Sequence, residues 1–525
     1  MTEKFDQFNL TDSQEPDWAV HLPAFSGFYV HQMAKLDDDP EYYGPDRFGP
    51  NFDKGHQGLD FYNGNGYFNY KWGLYSAGHA KLDLEKSKDQ ERMVQSRKRD
   101  GSTFLLGDSG GFQIAKGAGH FKNVDWSDFS GAGGDKIREK VLRWLEATSD
   151  FSMTLDIPAF AAEPPLSLKT GLTSFDDTLD LSLINLYYFI KHRTPGATKF
   201  LNVLSGTNFD NSSKWYESVK MFSNPDEIEN LGFDRDRTLE GYAFAGINMK
   251  HMPSVLARMA DLLRDDLIKD KEWIHFLGIG RLDWACYLTS IQRQLRNYEP
   301  KVTISFDCAS AFLAVAKGQI YTTPSFTPKR FGYNMKKAVD DRMLKESKKQ
   351  MPFGGPIASR MTLGHMCRLG PDEPNKLGKV AKTSWDNGSY LLAMASNVFI
   401  HVNAVQEANR LADMEYTKFN LSYKDWTKQK RSSSVNEVSD FVPANILFFN
   451  SFVEEFFDKG KTHAERMDMI DHNRSFLESI SFGGQKGNVF GNLFDMSDVA
   501  SAEPDSEDTD GLATYADVDD LDDDD

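Results

Sequence analysis

Three short apolar runs of the chain finish in an aspartate: Asp108 after TFLLG, Asp156 after FSMTL and Asp307 after VTISF. A carboxylate in such a place can attack carbon, carry a proton or read hydrogen-bond donors, depending on how burial and neighbours shift its pKa. Asp also favours strand ends and turns for purely conformational reasons. One such residue therefore says little, and three acquire meaning only if one fold brings them together. The first of them opens DSGGFQ (108–113), where Gly110 and Gly111 let backbone approach a flat ligand. In the same segment Phe112 can stack on a ring, and Gln113 offers both a donor and an acceptor.

The elements that must position these residues are legible as a repeat. The runs WGLYSAG (72–78), TFLLGDSGG (103–111), FSMTLDIP (151–158), FLNVLSGT (200–207), GYAFAG (241–246), IHFLGIG (274–280) and VTISFDC (302–308) each end in a small or acidic residue. Short apolar runs bounded by Gly, Asp or Pro have the pattern of buried parallel strands. Helical patterns lie between several of them. Residues 135–147 place Ile137, Val141, Leu142, Trp144 and Leu145 on one face, Ser174 caps 174–191, and Pro253 opens 253–268. With a first strand expected near FSGFYVHQM (25–33), about eight strand-helix units predict an α/β fold, a (β/α)8 TIM barrel, over residues 1–320. In that fold all three aspartates emerge at the C-terminal face. FLGIGRLDW holds GxG without a third glycine, which speaks against a dinucleotide-binding sheet.

Beyond the barrel the reading is a basic insertion (321–385), then an α-rich extension (386–486) whose helix 389–414 closes the barrel from outside, then an acidic tail (487–525) of disordered composition. Apolar residues make up 40% and charged residues 26%, with no run of the roughly 20 apolar residues a membrane helix needs. The N-terminus lacks the features of a secretory signal, and Cys286, Cys308 and Cys367 are odd in number and widely spaced, so a reducing cytoplasm is expected. The net charge of −18 is concentrated at one end. The last 39 residues hold 14 Asp or Glu and no Lys or Arg, which leaves −4 on the rest, so local basic clusters can still attract phosphates.

DSGGFQ resembles the signature of the queuine and archaeosine family of tRNA-guanine transglycosylases. Further matches follow in the family's order: MTLD (153–156), VLSG (203–206), GYAFAG (241–246), HFLGIG (275–280) and SFDC (305–308), covering roughly residues 70–320. The resemblance implies that Asp307 is the nucleophile toward C1′ of the target nucleoside and Asp108 the acid/base. It implies that Asp156 accepts hydrogen bonds from N1–H and the 2-amino group of guanine, with Ser109, Gly110, Phe112, Gln113, Ser205, Gly206, Ala245 and Gly246 lining the base pocket. Ser205 and Ala245 stand where the family has a glutamine and a glycine, so the pocket around position 7 of the base differs. No organic cofactor is implied. The co-substrates are a nucleic acid and a free 7-deazaguanine base.

The family's zinc cluster, CxCxxC with a later histidine, has no counterpart. The closest two cysteines are 22 positions apart, Ser396 stands before Asn397 where the histidine is expected, and His365 with Cys367 is read as a satisfied or exposed surface pair and not a metal site, so no metal site is expected. Such divergence resembles the DNA-guanine transglycosylases of bacteriophages. DNA is therefore the expected substrate, with tRNA, or a non-catalytic nucleic-acid-binding subunit, as alternatives. PKRFGYNMKK (328–337), through Lys329, Arg330, Lys336 and Lys337, and RMVQSRKRD (92–100), through Arg97 and Lys98, are the candidate nucleic-acid contacts, with Phe331 and Tyr333 as stacking residues.

Overall fold

The computed structural model describes residues 8–44, 46–62, 64–95, 102–373, 383–418, 422–425 and 439–481. Eight parallel strands form its centre: β1 (Val20–Pro23), β2 (Trp72–Ser76), β3 (Phe104–Asp108), β4 (Phe151–Met153), β5 (Lys199–Leu204), β6 (Gly241–Phe244), β7 (Trp273–Phe276) and β8 (Thr303–Cys308). Strands consecutive in the chain pair from β2 to β8, and β8 pairs with β1. The ring closes where Ala24 bridges Leu74 and the Phe25 N–H donates to the Leu74 carbonyl at 2.8 Å. This is the expected (β/α)8 barrel. Among the helices between and after its strands are α1 (Gly27–Asp38), α2 (Gly111–Lys116), α3 (Ala132–Thr148), α4 (Phe175–His192), α5 (Phe209–Val219), α6 (Met252–Arg264), α7 (Leu282–Leu295) and α8 (Ser310–Ala316).

The alternation of side chains along each strand separates two cores. Val20, Leu22, Leu74, Leu106, Phe151, Met153, Leu201, Val203, Ala243 and Trp273 pack together inside the barrel. Near the strands' N-terminal ends Phe104 stacks on Trp273, with ring centroids 4.4 Å apart, and Phe151 leans on both. These rings fill the floor. Residues of the other parity, with the helix faces, make the larger outer core. The inward parity of Leu22, Leu74 and Leu106 carries Ser76, Asp108 and Asp307 to the inner, C-terminal end, since Asp108 pairs with Ser76 and Asp307 with Leu22.

The first strand is displaced from its expected place. Segment 25–33 enters helix α1, because the Ser26 hydroxyl accepts the Tyr29 N–H and caps it, and the strand is VHLP just before. Helix α4 starts where expected, with Ser174 and Asp177 forming a reciprocal capping box.

After α8 the chain forms an antiparallel hairpin, β9 (Gln319–Phe326) and β10 (Phe331–Lys337). Helix α9 (Asn387–Lys418) lies across the barrel's outside, against β1, α7, α8 and β9. Asn397 fastens it: its Oδ1 accepts the Tyr321 N–H at 2.8 Å, and its Nδ2 donates to the Ala311 carbonyl at 3.0 Å. Helix α10 (Ala444–Phe456) packs on α7, while α11 (His463–His472) and α12 (Arg474–Ser479) pack on α6. The acidic tail lies outside the described residues, among which no helix is long and apolar enough to cross a membrane.

Candidate active site

The C-terminal mouth of the barrel gathers the predicted carboxylates. Asp108 is the last residue of β3, Asp307 the penultimate residue of β8, and Asp156 follows β4 by three residues. Burial raises the Asp108 carboxyl above the ordinary range, and the charge of Asp307 adds to it. The Ser76 hydroxyl, donating to Oδ2 at 2.5 Å, and the Gly110 N–H oppose the rise. Asp156 is pushed up to about 7, first by burial and then by the charge of Asp108. Three carboxylates from strands remote in sequence thus face one space and feel one another.

Asp307 is aimed. Its Oδ1 accepts the Gly278 N–H at 2.9 Å and bonds to His275 Nε2 at 3.1 Å, while Oδ2 has no hydrogen-bond partner among the described residues. His275 is itself oriented from below. Trp273 Nε1–H donates to Ser305 Oγ at 2.6 Å, and Ser305 Oγ lies 2.8 Å from His275 Nδ1. With the indole able only to donate, the Ser305 hydroxyl proton goes to Nδ1, which leaves Nε2–H to donate to the aspartate. Trp273, His275, Ser305 and Asp307 all point inward, so the chain of bonds climbs from floor to mouth. The HFLGIG motif marks this segment in the sequence, but nothing in it gives His275 a role.

The glycines of DSGG have a different use from the one expected. Gly110 has φ +79°, and a Cβ there would lie 2.6 Å from the Gly78 backbone nitrogen. A Cβ on Gly111 would lie 2.2 Å from the Asp156 carbonyl oxygen. They let the loops after β2, β3 and β4 press backbone to backbone, which sets Asp156 beside Asp108. Ser109 is buried, and Phe112 stands at the rim, 38% exposed, edge-on to Phe160 and under the Lys116 ammonium. Gln113 Nε2 sits 3.2 Å from His79 Nε2, and its Oε1 is buried without a hydrogen-bond partner among the described residues.

Ser205, Gly206, Ala245 and Gly246 are brought together as neighbours at the ends of β5 and β6. Gly246, with φ +59°, would push a Cβ to 2.3 Å from the Gly206 carbonyl oxygen, and the Ile247 N–H donates to that same oxygen at 2.9 Å.

Lys329 and Arg330 are exposed at the tip of the β9–β10 hairpin, and Lys336 and Lys337 are exposed at its end. The stacking residues between them are spent on packing instead. Phe331 is buried edge-on to Phe326, and Tyr333 stacks on Tyr321, so neither offers a free face. Arg97 and Lys98 lie outside the described residues. Beside the mouth, unforeseen from the sequence, a groove of about 400 Å³ is lined by Lys81, Phe121, Asn123, Asp125, Lys136 and Lys140. His365 and Cys367 are each satisfied by local hydrogen bonds. His365 Nδ1 accepts the Thr362 N–H in a capping box, and Cys367 is fully buried, with its thiol donating to the Val339 carbonyl. One group able to hold a metal stands elsewhere, made of His21, Cys308 and His401. No family model matches the chain, and no curated protein matches it either.

Proposed function

We propose that the chain is a guanine transglycosylase acting on DNA, exchanging guanine for a 7-deazaguanine derivative such as 7-cyano-7-deazaguanine through an aspartyl-sugar intermediate. The observation that carries this reading is the pairing of a raised Asp108 with an aimed Asp307 across one barrel mouth. Oδ2 of Asp307 bonds to C1′ as the C1′–N9 bond breaks, and the electron pair leaves with guanine, which takes a proton from Asp108. In the second half the incoming base gives its N9 proton to Asp108 and displaces Asp307 from C1′. Two displacements keep the configuration at C1′.

Asp156 reads the base. A guanine-like ring aims N1–H and the exocyclic amine at one carboxylate, and those two donors favour the ionised form that burial disfavours. A base enclosed this way cannot remain in a duplex, so the nucleotide is flipped out or single-stranded. The exposed cations of the hairpin and the lysines of the groove supply the phosphate contacts.

The test mixes the full chain with duplex DNA or tRNA and labelled 7-cyano-7-deazaguanine, with Asp307→Ala and Asp108→Ala as controls. Label enters DNA with the wild type and with neither variant. Label in tRNA alone overturns the substrate, free guanine without label points to hydrolysis, and label retained by Asp307→Ala refutes the nucleophile.

A further inference from the structure

Asp307 and Cys308 are consecutive on β8, so the pleat sends them to opposite faces of the sheet. Asp307 enters the mouth, and Cys308 turns outward toward α9. There it meets two histidines from distant parts of the chain: His21 on β1, in register with Phe306, and His401 on α9. Cys308 Sγ lies 3.7 Å from His401 Nε2, and the two imidazoles stack with centroids 4.4 Å apart and planes 3° from parallel. One ligand atom from each residue falls within 4.8 Å of the others, and none of the three side chains is more than 5% exposed.

Hydrogen bonding inside the protein leaves this cluster partly unsatisfied. Among the described residues Nδ1 of His21 is buried without a hydrogen-bond partner, and so is the hydroxyl of Tyr333, whose ring lies 5.0 Å from that of His401. A buried polar atom with no partner has lost its hydration without replacement. Two lone-pair donors and a thiol collected from β1, β8 and α9 are a donor set for a borderline-soft ion, not for magnesium or calcium.

We propose that His21, Cys308 and His401 form a binding site for a zinc-class transition-metal ion that pins α9 to the strand bearing Asp307, with Tyr333 facing the fourth position. Tetrahedral zinc with ordinary Zn–S and Zn–N lengths sets sulfur and nitrogen about 3.6 Å apart, close to the separation found here. Parallel rings cannot both aim in-plane lone pairs at one ion, so one imidazole turns out of the stack on binding. The Cys308 thiol gives its proton to solvent as the metal–sulfur bond forms, and the two neutral imidazoles contribute lone pairs without losing a proton. The site makes no use of the base-exchange reading and stands or falls without it.

The test titrates the chelator-washed full chain with Co²⁺ and then Zn²⁺. A sulfur-to-cobalt charge-transfer band in the near ultraviolet, visible bands of tetrahedral intensity, and loss of both on adding zinc are expected at one ion per chain. Cys308→Ser abolishes the charge-transfer band, His401→Gln weakens cobalt binding at least tenfold, and Cys286→Ser and Cys367→Ser leave the spectrum unchanged. The His401→Gln titration carries the test if Cys308→Ser fails to fold. A wild-type chain that is folded by circular dichroism and binds neither ion overturns the proposal. So does a charge-transfer band that survives Cys308→Ser or disappears in Cys286→Ser.

Discussion

Replacing Asp156 by Asn should make the protein more stable, by an amount that depends on pH in a calculable way. Asp156 in the folded chain is pushed from the ordinary 3.8 up to about 7. A carboxyl whose folded pKa lies above its unfolded value contributes stability that is complete below the unfolded pKa and is lost as pH rises through the folded one. At about 1.36 kcal/mol per unit, roughly three units amount to ~4 kcal/mol against folding above pH 7, and about 1.5 kcal/mol at pH 5. Asn cannot ionise, so it escapes that term. With an unfolding entropy near 2.1 cal/mol/K per residue, a chain of this length melts roughly 1 °C higher for each kcal/mol gained. Scanning calorimetry should therefore find Asp156→Asn melting about 1–2 °C above wild type at pH 5 and about 4 °C above at pH 8. An equal shift at both pH values, or a lower melting temperature at pH 8, would refute the placing of this carboxyl in a dry pocket beside Asp108. The same reasoning extends to ligand: at pH 6 guanine binding to wild type should release protons, measured as a buffer-dependent heat, and Asp156→Asn should release none.

Three further outcomes follow from named bonds. Ser76→Ala removes a donor that holds the Asp108 pKa down, a charge-assisted bond of about 1.5–3 kcal/mol, so the limb of the pH–rate profile assigned to Asp108 should move up by about 1–2 units; an unmoved profile would separate Asp108 from catalysis. His275→Ala leaves Asp307 with only the Gly278 N–H and should lower kcat about 100-fold, by analogy with loss of one preorganised donor, with KM little changed. His275→Gln, which can still present an N–H, should recover part of that loss, and equal defects in the two variants would argue for a merely structural role. Removing the charges of Lys329 and Arg330 should weaken DNA binding alike for all sequences and flatten its salt dependence by up to about 0.9 for each phosphate no longer neutralised, read from binding titrations across salt; a sequence-dependent weakening would contradict a backbone role.

What the sequence disclosed and what it hid divide along a physical line. Alternation is written in the residues, so the strand ends bearing Asp108 and Asp307, and the capped start of α4 at Ser174, could be read directly. Strand β1 could not, because VHLP is four residues long and carries a buried polar His21, while the longer apolar run after it belongs to a helix face. His275 escaped because its contact with Asp307 depends on register between two strands, and register has no local signature. DSGG was recognisable as a motif, but not that its glycines serve loop-to-loop contact. Phe331 and Tyr333 looked like stacking residues because a hairpin's two faces are indistinguishable until one of them is covered. The expectation of no metal rested on cysteine spacing. A cluster assembled from β1, β8 and α9 leaves no spacing to read.

Among the described residues no Lys or Arg forms an ion pair with Asp108, Asp156 or Asp307; their partners are a serine hydroxyl, backbone N–H groups and the imidazole of His275. Electrostatics alone would favour a cation there, since three carboxylates in one pocket repel. A guanidinium beside Asp108 would bring its pKa down and leave it unable to hand a proton to a departing base at neutral pH. One beside Asp307 would stabilise the free carboxylate and make it a poorer attacker of C1′. Hydrogen bonds from neutral donors orient both groups with a smaller loss of basicity. Burial first, and the repulsion that remains second, set the quantity the Asp156→Asn melting experiment measures, and they link the barrel's stability to the chemistry proposed for its mouth.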